Sequence, residues 1–216
     1  MKYLVSILML SSNALFGQTP GDSIAPRQID TFTEMFKDSL QGKELLNFTA
    51  QQFNDEIIDL KRLKGNVIVL NFWFVGCPPC LGEVGDFNKV FNHFKDSSVK
   101  IISLANNTHA QIAKFIENKS SGPIEKIQYP IIPDASKIIK QYNVVSYPTT
   151  VFIDKKGVIR LVYSGALVSS LQKYVQFYGE KDLSKGWKKI LKDNSDPHQI
   201  QMDAILIELI DDLLRE

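Results

Sequence analysis

Residues 67–80 read VIVLNFWFVGCPPC, an apolar run followed directly by a pair of cysteines. Its first part, Val67–Phe74, is a run of apolar and β-branched side chains interrupted only by Asn71, which is typical of a strand buried on both faces. After Cys80, apolar residues recur at helical spacing, at Val84, Phe87, Val90, Phe91 and Phe94. The two cysteines therefore lie where a buried strand turns into a helix.

Cys77 and Cys80 are the only cysteines of the 216-residue chain. A disulfide between residues so close together constrains very little of the unfolded chain, so reactivity explains the pair better than stability. At a helix start, unpaired amide groups and the helix dipole stabilise an anion, so we expect a pKa of Cys77 below the free value of about 8.5. Cys80 lies one turn further in, and we expect it to be less exposed than Cys77.

These positions predict two roles for the cysteines. Cys77 attacks a substrate disulfide, and Cys80 then resolves the mixed disulfide. Pro78 and Pro79 fit the first helical turn, where a missing N–H costs little. The alternatives are a structural disulfide and half of a metal site. A zinc site would need two more ligands, and His93, His109 and His198 do not have the spacing of zinc ligands.

The rest of the chain supplies further strands and helices around this stretch. The predicted elements are a β-hairpin over 45–60, a buried strand Val99–Ala105, a helix through Ile112–Ile116, a strand Tyr129–Ile132, a helix Asp134–Tyr142, a hairpin around Lys155-Lys156-Gly157 and a helix Val168–Tyr178. Strands that alternate with helices and end in a hairpin predict an α/β fold, with a mixed sheet and helices on both faces. We assign residues 45–180 to this domain.

The amino-terminal residues resemble an export signal. Lys2, an apolar run over residues 3–10 and small residues near Gly17 predict a secretory signal peptide over residues 1–17. The alternative is a retained membrane anchor, but a span needs about 20 apolar residues and this run stops at Ser11. We therefore expect a periplasmic or otherwise extracytoplasmic protein without a membrane span after signal removal, whose residues 18–44 form a linker.

Residues 181–216 form a predicted helical extension. From Met202 onwards an apolar stripe opposes acidic residues, with its members at Ile205, Leu206, Leu209, Ile210 and Leu213. The stripe either packs on its own domain or forms a dimer or partner interface through residues 200–214, and the acidic face argues against anionic membranes. The chain carries 25 Lys and Arg against 24 Asp and Glu, a formal net charge of +1, so nucleic acid is not an expected partner.

Three segments together resemble one known family. NFWFVGCPPC at 71–80, SYPTT at 146–150 and VFIDKKGVI at 151–159 are similar to the thioredoxin superfamily, in particular its exported TlpA-like and ResA-like branch. The similarity covers roughly residues 45–178. It implies a thioredoxin-like fold and thiol-disulfide exchange, with the Cys77–Cys80 pair as the redox centre and no further cofactor or metal.

The resemblance also implies roles for other residues. Pro148 takes the place of the family's cis-proline, which sets the backbone of Tyr147 opposite the cysteines; an ordinary trans turn is the alternative. Glu83 takes the place of a glutamate near the pair that could exchange a proton with Cys80, and a solvated helix residue is the alternative. Asn71 stands where many cytoplasmic thioredoxins carry a buried aspartate.

Contacts to substrate are expected around the cysteines, from Trp73, Gly76, Pro78, Pro79, Tyr147 and Pro148. Trp73 also suits core packing. Two glycines depart from the family pattern: Gly76 replaces a tryptophan and should open the rim of the site, and Gly85 replaces a helix-kinking proline.

The expected function is exchange of disulfides in exported proteins, with apocytochromes before haem attachment as one candidate substrate and a membrane thiol-disulfide carrier as electron donor. The sequence does not decide whether the pair reduces or oxidises its substrates. The alternative is a non-catalytic binding module such as a copper chaperone on the same scaffold. Such relatives use a wider cysteine spacing and a downstream histidine ligand, and the sequence matches neither.

Overall fold

The computed structural model describes residues 38–117, 127–165 and 202–216. Its elements in chain order are β1 (Thr49–Gln51), β2 (Ile57–Asp59), a 3-10 turn (Leu60–Leu63), β3 (Val67–Trp73), α1 (Pro78–Gly82), α2 (Val84–Phe94), β4 (Val99–Ala105), α3 (His109–Glu117), β5 (Ile131–Ile132), α4 (Ser136–Gln141), β6 (Thr149–Ile153), β7 (Ile159–Ser164) and α5 (Met202–Leu214). The predicted signal peptide and the predicted helix over 168–178 lie outside the described residues.

The described strands form a mixed sheet and a separate hairpin. The sheet has the order β5-β4-β3-β6-β7, with β3 parallel to β4 and antiparallel to β6, while β1 and β2 pair as the predicted amino-terminal hairpin. All seven residues of β3 are buried. Because successive strand residues point to opposite faces, β3 contributes to a hydrophobic core on each side of the sheet. The predicted α/β fold with a mixed sheet is confirmed.

Helices cover both faces of the sheet. On one face α2 and α5 pack on Val67 and Val69 of β3, and on the other α4 packs near Ile68, Leu70 and Phe72. The single helix predicted after the cysteines is divided into α1 and α2, which meet at Glu83. Glycines on both sides of this residue weaken helical propensity there, at Gly82 and Gly85.

The carboxy-terminal helix α5 belongs to the core of the domain. Its five stripe residues are completely buried, at Ile205, Leu206, Leu209, Ile210 and Leu213. The end of α5 is also held by polar contacts, because the Lys155 ammonium donates to the carbonyl oxygen of Leu214 (2.6 Å) and Arg160 pairs with Glu216. Of the two arrangements considered for the apolar stripe, the structure has the one in which it packs on its own domain.

The described end of the predicted linker is attached to the sheet. Leu40 is buried, the Gly42 amide donates to the Ile159 carbonyl (2.8 Å), and Glu44 forms a β-bridge with Val158. Residues 40–44 therefore contact the strand pair that ends the sheet. Across the described ranges, no helix has the length and hydropathy that a bilayer crossing requires.

The burial of α5 predicts a large stability effect at Ile205. Ile205→Ala removes a completely buried side chain and should lower the free energy of unfolding by about 2–5 kcal/mol. Ile57→Ala makes the same chemical change at a side chain that is 66% exposed, and should cost less than about 0.5 kcal/mol. Urea unfolding of both variants measures the difference. Equal, small losses would show that α5 does not support the domain.

Candidate active site

The site begins where β3 leaves the sheet. After Trp73 the chain turns sharply, with the Cys77 amide donating to the Phe74 carbonyl (3.2 Å) and the Val75 amide donating to the side chain of Asn107 (2.6 Å). Gly76 has a φ of 88°, in the left-handed region that favours glycine, and it is exposed. The glycine before the first cysteine therefore serves the turn that points the chain into α1.

Cys77 is the N-cap residue of α1, and it forms a disulfide with Cys80 (S–S 2.00 Å, Cα–Cα 5.3 Å). The backbone amide of Cys80 donates to the Cys77 sulfur at 3.4 Å. Pro78 and Pro79 occupy the first helical positions and are exposed. The structure therefore has the strand-to-helix arrangement that the sequence predicted, with one sulfur at the helix terminus and the other inside the first turn.

Both cysteines are buried, which corrects one expectation. Cys77 is 3% exposed and Cys80 is 6% exposed, so Cys80 is not the less accessible of the two. The two residues form a small apolar cluster with Trp73, Ala105 and Ile112. Exposure therefore does not distinguish the two sulfurs. What distinguishes them is the helix, because among the described residues the Cys77 sulfur alone accepts an amide hydrogen bond at the helix terminus.

Trp73 supports the pair from the core side. It is 3% exposed, and its indole N–H donates to the Ser103 hydroxyl (2.5 Å). Trp73 is therefore a buried member of the apolar cluster. Of the residues predicted to contact substrate, Gly76, Pro78 and Pro79 are exposed.

The loop before β6 lies beside the same cluster. The Tyr147–Pro148 peptide bond is cis, as the resemblance implied, and Pro148 is buried. Tyr147 packs against the cluster of the cysteines, and its ring meets that of Phe74 edge-on with centroids 5.2 Å apart. The ring of Phe74, which follows β3, and the ring of Tyr147, which precedes β6, therefore meet next to the cysteine pair.

Glu83 is a buried carboxyl group at the junction of α1 and α2. Its side chain does not cap α2, the residue is only 7% exposed, and Oε2 has no hydrogen-bond partner among the described residues. Burial, and secondarily the neighbouring Asp86 carboxylate, raise the pKa of Glu83 to about 8. The solvated alternative for Glu83 is therefore excluded. At neutral pH the group is mostly protonated.

A row of polar side chains crosses the sheet on the α2 side. Strand register aligns Ser103, Asn71, Thr150 and Tyr163 on four adjacent strands. The Asn71 amide donates to the Thr150 hydroxyl (3.2 Å), and the buried Tyr163 lies opposite Thr150 in the register of β6 and β7. The middle of β3 thus carries a neutral amide within a row of neutral polar side chains.

Two tyrosines from different elements face Glu83. Burial, and secondarily the Glu83 carboxylate, raise the pKa of both Tyr129 and Tyr163. No local sequence pattern marks either tyrosine, or Thr150, as part of the site. Tyr163 and Thr150 could have been found only from the register of β6 and β7, since they lie far from Glu83 in sequence.

Comparisons with known proteins agree with this geometry. The model of the AhpC/TSA family matches residues 41–162. The thiol-disulfide oxidoreductase ResA of Bacillus cereus is 33% identical over 144 residues, which are 65% of this chain and 80% of the relative. ResA of Bacillus subtilis is 31% identical over 132 residues, which are 61% of this chain and 71% of the relative.

A solved structure agrees at the level of the fold. The thiol:disulfide interchange protein of the thioredoxin family from Chlorobium tepidum is superimposed with a TM-score of 0.51 at 19% identity, covering 64% of this chain and 97% of that structure. The family model covers more than half of the chain, and both relatives are named thiol-disulfide oxidoreductases. The chain therefore belongs to the AhpC/TSA family and is a thioredoxin-like thiol-disulfide oxidoreductase.

Proposed function

We propose that the chain is an extracytoplasmic oxidoreductase that reduces disulfides in exported proteins through Cys77 and Cys80. The observation that carries the proposal is the position of the Cys77 sulfur, which caps α1 and accepts the amide hydrogen bond of Cys80. In the reduced protein the same amide and the helix dipole stabilise negative charge on that sulfur.

The exchange consists of two successive attacks by a thiolate on a disulfide. The Cys77 thiolate attacks one sulfur of a substrate disulfide, so that a mixed disulfide forms and the other substrate sulfur leaves as a thiolate that takes up a proton. The Cys80 thiol then loses its proton and attacks the Cys77 sulfur. This step releases the second substrate thiolate and restores the Cys77–Cys80 disulfide, with two electrons passed from the protein to the substrate.

Glu83 is proposed to exchange the proton of Cys80. A carboxyl group with a pKa of about 8 is close in proton affinity to a cysteine thiol, so a proton moves between them at little cost. When Cys80 attacks, Glu83 accepts its proton, and when the disulfide is reduced again, Glu83 returns it. The raised pKa requires burial, and Glu83 is buried at the junction of α1 and α2.

The surroundings of the pair support an extended protein substrate. Exposed surface next to the sulfurs comes from Gly76, Pro78 and Pro79, and from the half-buried ring of Tyr147. A backbone segment lying along the loop of Tyr147 and Pro148 would bring its disulfide to Cys77. Export is proposed from the signal-like residues 1–17, with a membrane thiol carrier as donor and apocytochromes among the substrates.

The proposed roles of the cysteines predict different behaviour for two serine variants. Wild type should catalyse the reduction of insulin disulfides by dithiothreitol, and Cys77→Ser should abolish the catalysis because no nucleophile remains. Cys80→Ser should accumulate a mixed disulfide with insulin through Cys77, which non-reducing electrophoresis detects. Full activity of Cys77→Ser, or absence of any adduct in Cys80→Ser, would overturn the proposed function.

The buried Glu83 predicts a pH-dependent gain in stability for Glu83→Gln. The folded-state pKa of Glu83 is raised from 4.5 to about 8, so the wild type loses stability as the pH rises between these values, and the loss is complete above pH 8. Glutamine has no such loss. The free energy of unfolding of Glu83→Gln, measured relative to wild type, should therefore increase by about 2–5 kcal/mol when the pH is raised from 5 to 8.5.

Urea unfolding at the two pH values measures this difference. Glu56→Gln, at an exposed glutamate, is the matched control, and its effect should not depend on pH to a comparable extent. A gain for Glu83→Gln that is equal at both pH values would contradict the assignment of a buried, mostly protonated carboxyl group.

A further inference from the structure

A charged cluster joins α5 to α2, the helix whose N-cap residue is Glu83. The Lys89 ammonium lies 3.1 Å from Oδ1 of Asp86 and 3.2 Å from Oδ2 of Asp203. Asp86 and Lys89 are on α2, whereas Asp203 is in the first turn of α5. One cation is therefore shared between two carboxylates, one from each helix.

The cluster is next to Glu83 along α2. Asp86 follows Glu83 by three residues, a spacing that places two side chains on neighbouring positions of a helix surface. Asp203 is mostly buried, and its Oδ1 has no hydrogen-bond partner among the described residues. Burial raises the pKa of Asp86, the hydrogen bond and charge of Lys89 lower it, and the charge of Asp203 raises it again. The charges of the cluster are therefore coupled.

We propose that Lys89 and Asp203 are positioning residues of the redox site, which set how tightly Glu83 holds its proton. The C-terminal helix thereby contributes to the chemistry as well as to the core. This inference rests on the proposed function for its catalytic meaning, because only a proton exchanged with Cys80 makes the proton affinity of Glu83 matter. Neither residue belongs to the apolar cluster that contains the two sulfurs.

The charges around Glu83 determine the sign of each effect. The titratable groups that interact with it are Asp86 on α2, Tyr129 before β5 and Tyr163 on β7. Both tyrosines are neutral below pH 10, since their pKa values are raised. Asp86 thus supplies the charge next to Glu83, and Lys89 and Asp203 act on Asp86 with opposite signs.

Two variants should shift the titration of Glu83 in opposite directions. Lys89→Met removes the cation and leaves two unbalanced carboxylates, so the pKa of Glu83 should rise by about half a unit. Asp203→Asn removes one anion, so the pKa should fall by about half a unit. The double variant loses one charge of each sign and should titrate close to wild type.

The side-chain carboxyl ¹³C signal of Glu83 reports these shifts directly in the oxidised full-length protein. The signal is assigned by its loss in Glu83→Gln, and the wild-type midpoint should lie at about pH 8. Lys95→Met, at the C-cap of α2, and Asp211→Asn, on α5, make the same changes of charge outside the cluster, and each should move the midpoint by less than about 0.2 units. Circular dichroism confirms that every variant is folded.

Opposite shifts support the coupling, because a general loosening of the structure would move both midpoints in the same direction. Unchanged midpoints in both variants, or shifts of the same sign, would overturn it. The titration needs no turnover, so it is separate from the insulin assay. An inactive protein with opposite shifts would reject the proposed function and keep the coupling, whereas an active protein without shifts would do the reverse.

Discussion

Strand β3 is bonded to β4 on one side and to β6 on the other, and this constraint positions everything at the redox site. Because both edges of the strand are paired and both faces are buried, the point at which it leaves the sheet is fixed. The chain then has only the turn at Phe74–Gly76 before Cys77 caps α1. A displacement of β3 by one residue would exchange its two buried faces, so the core itself holds the cysteine at the helix terminus.

The same constraint holds a buried carboxyl group, that of Glu83, three residues after Cys80. α1 ends after a single turn, Glu83 is the N-cap residue of α2, and the sheet on this side carries a row of neutral polar groups. α5 closes this face of the sheet and carries Asp203 to the charged cluster of α2.

Much of this arrangement was predictable from local sequence patterns. The strand Val67–Phe74, the cysteine pair after it and the stripe of α5 each rely on short-range periodicity, and the structure confirms all three elements. What could not be predicted depends on contacts between distant segments. The alignment of Thr150 and Tyr163 with Asn71 needs the strand register, and the burial of Cys77 depends on how its surroundings pack over the sulfur. The packing of α5 on its own domain likewise could not be predicted, because it depends on an apolar surface that forms only when the sheet is folded.

In the proposed mechanism the helix terminus, rather than exposure, makes Cys77 the attacking sulfur. Limited alkylation of the reduced protein with iodoacetamide, followed by peptide mass spectrometry, compares the reactivity of the two thiols. Singly labelled chains should carry the label on Cys77, although both cysteines are buried to a similar degree in the disulfide form. Equal labelling of the two thiols, or earlier labelling of Cys80, would contradict it.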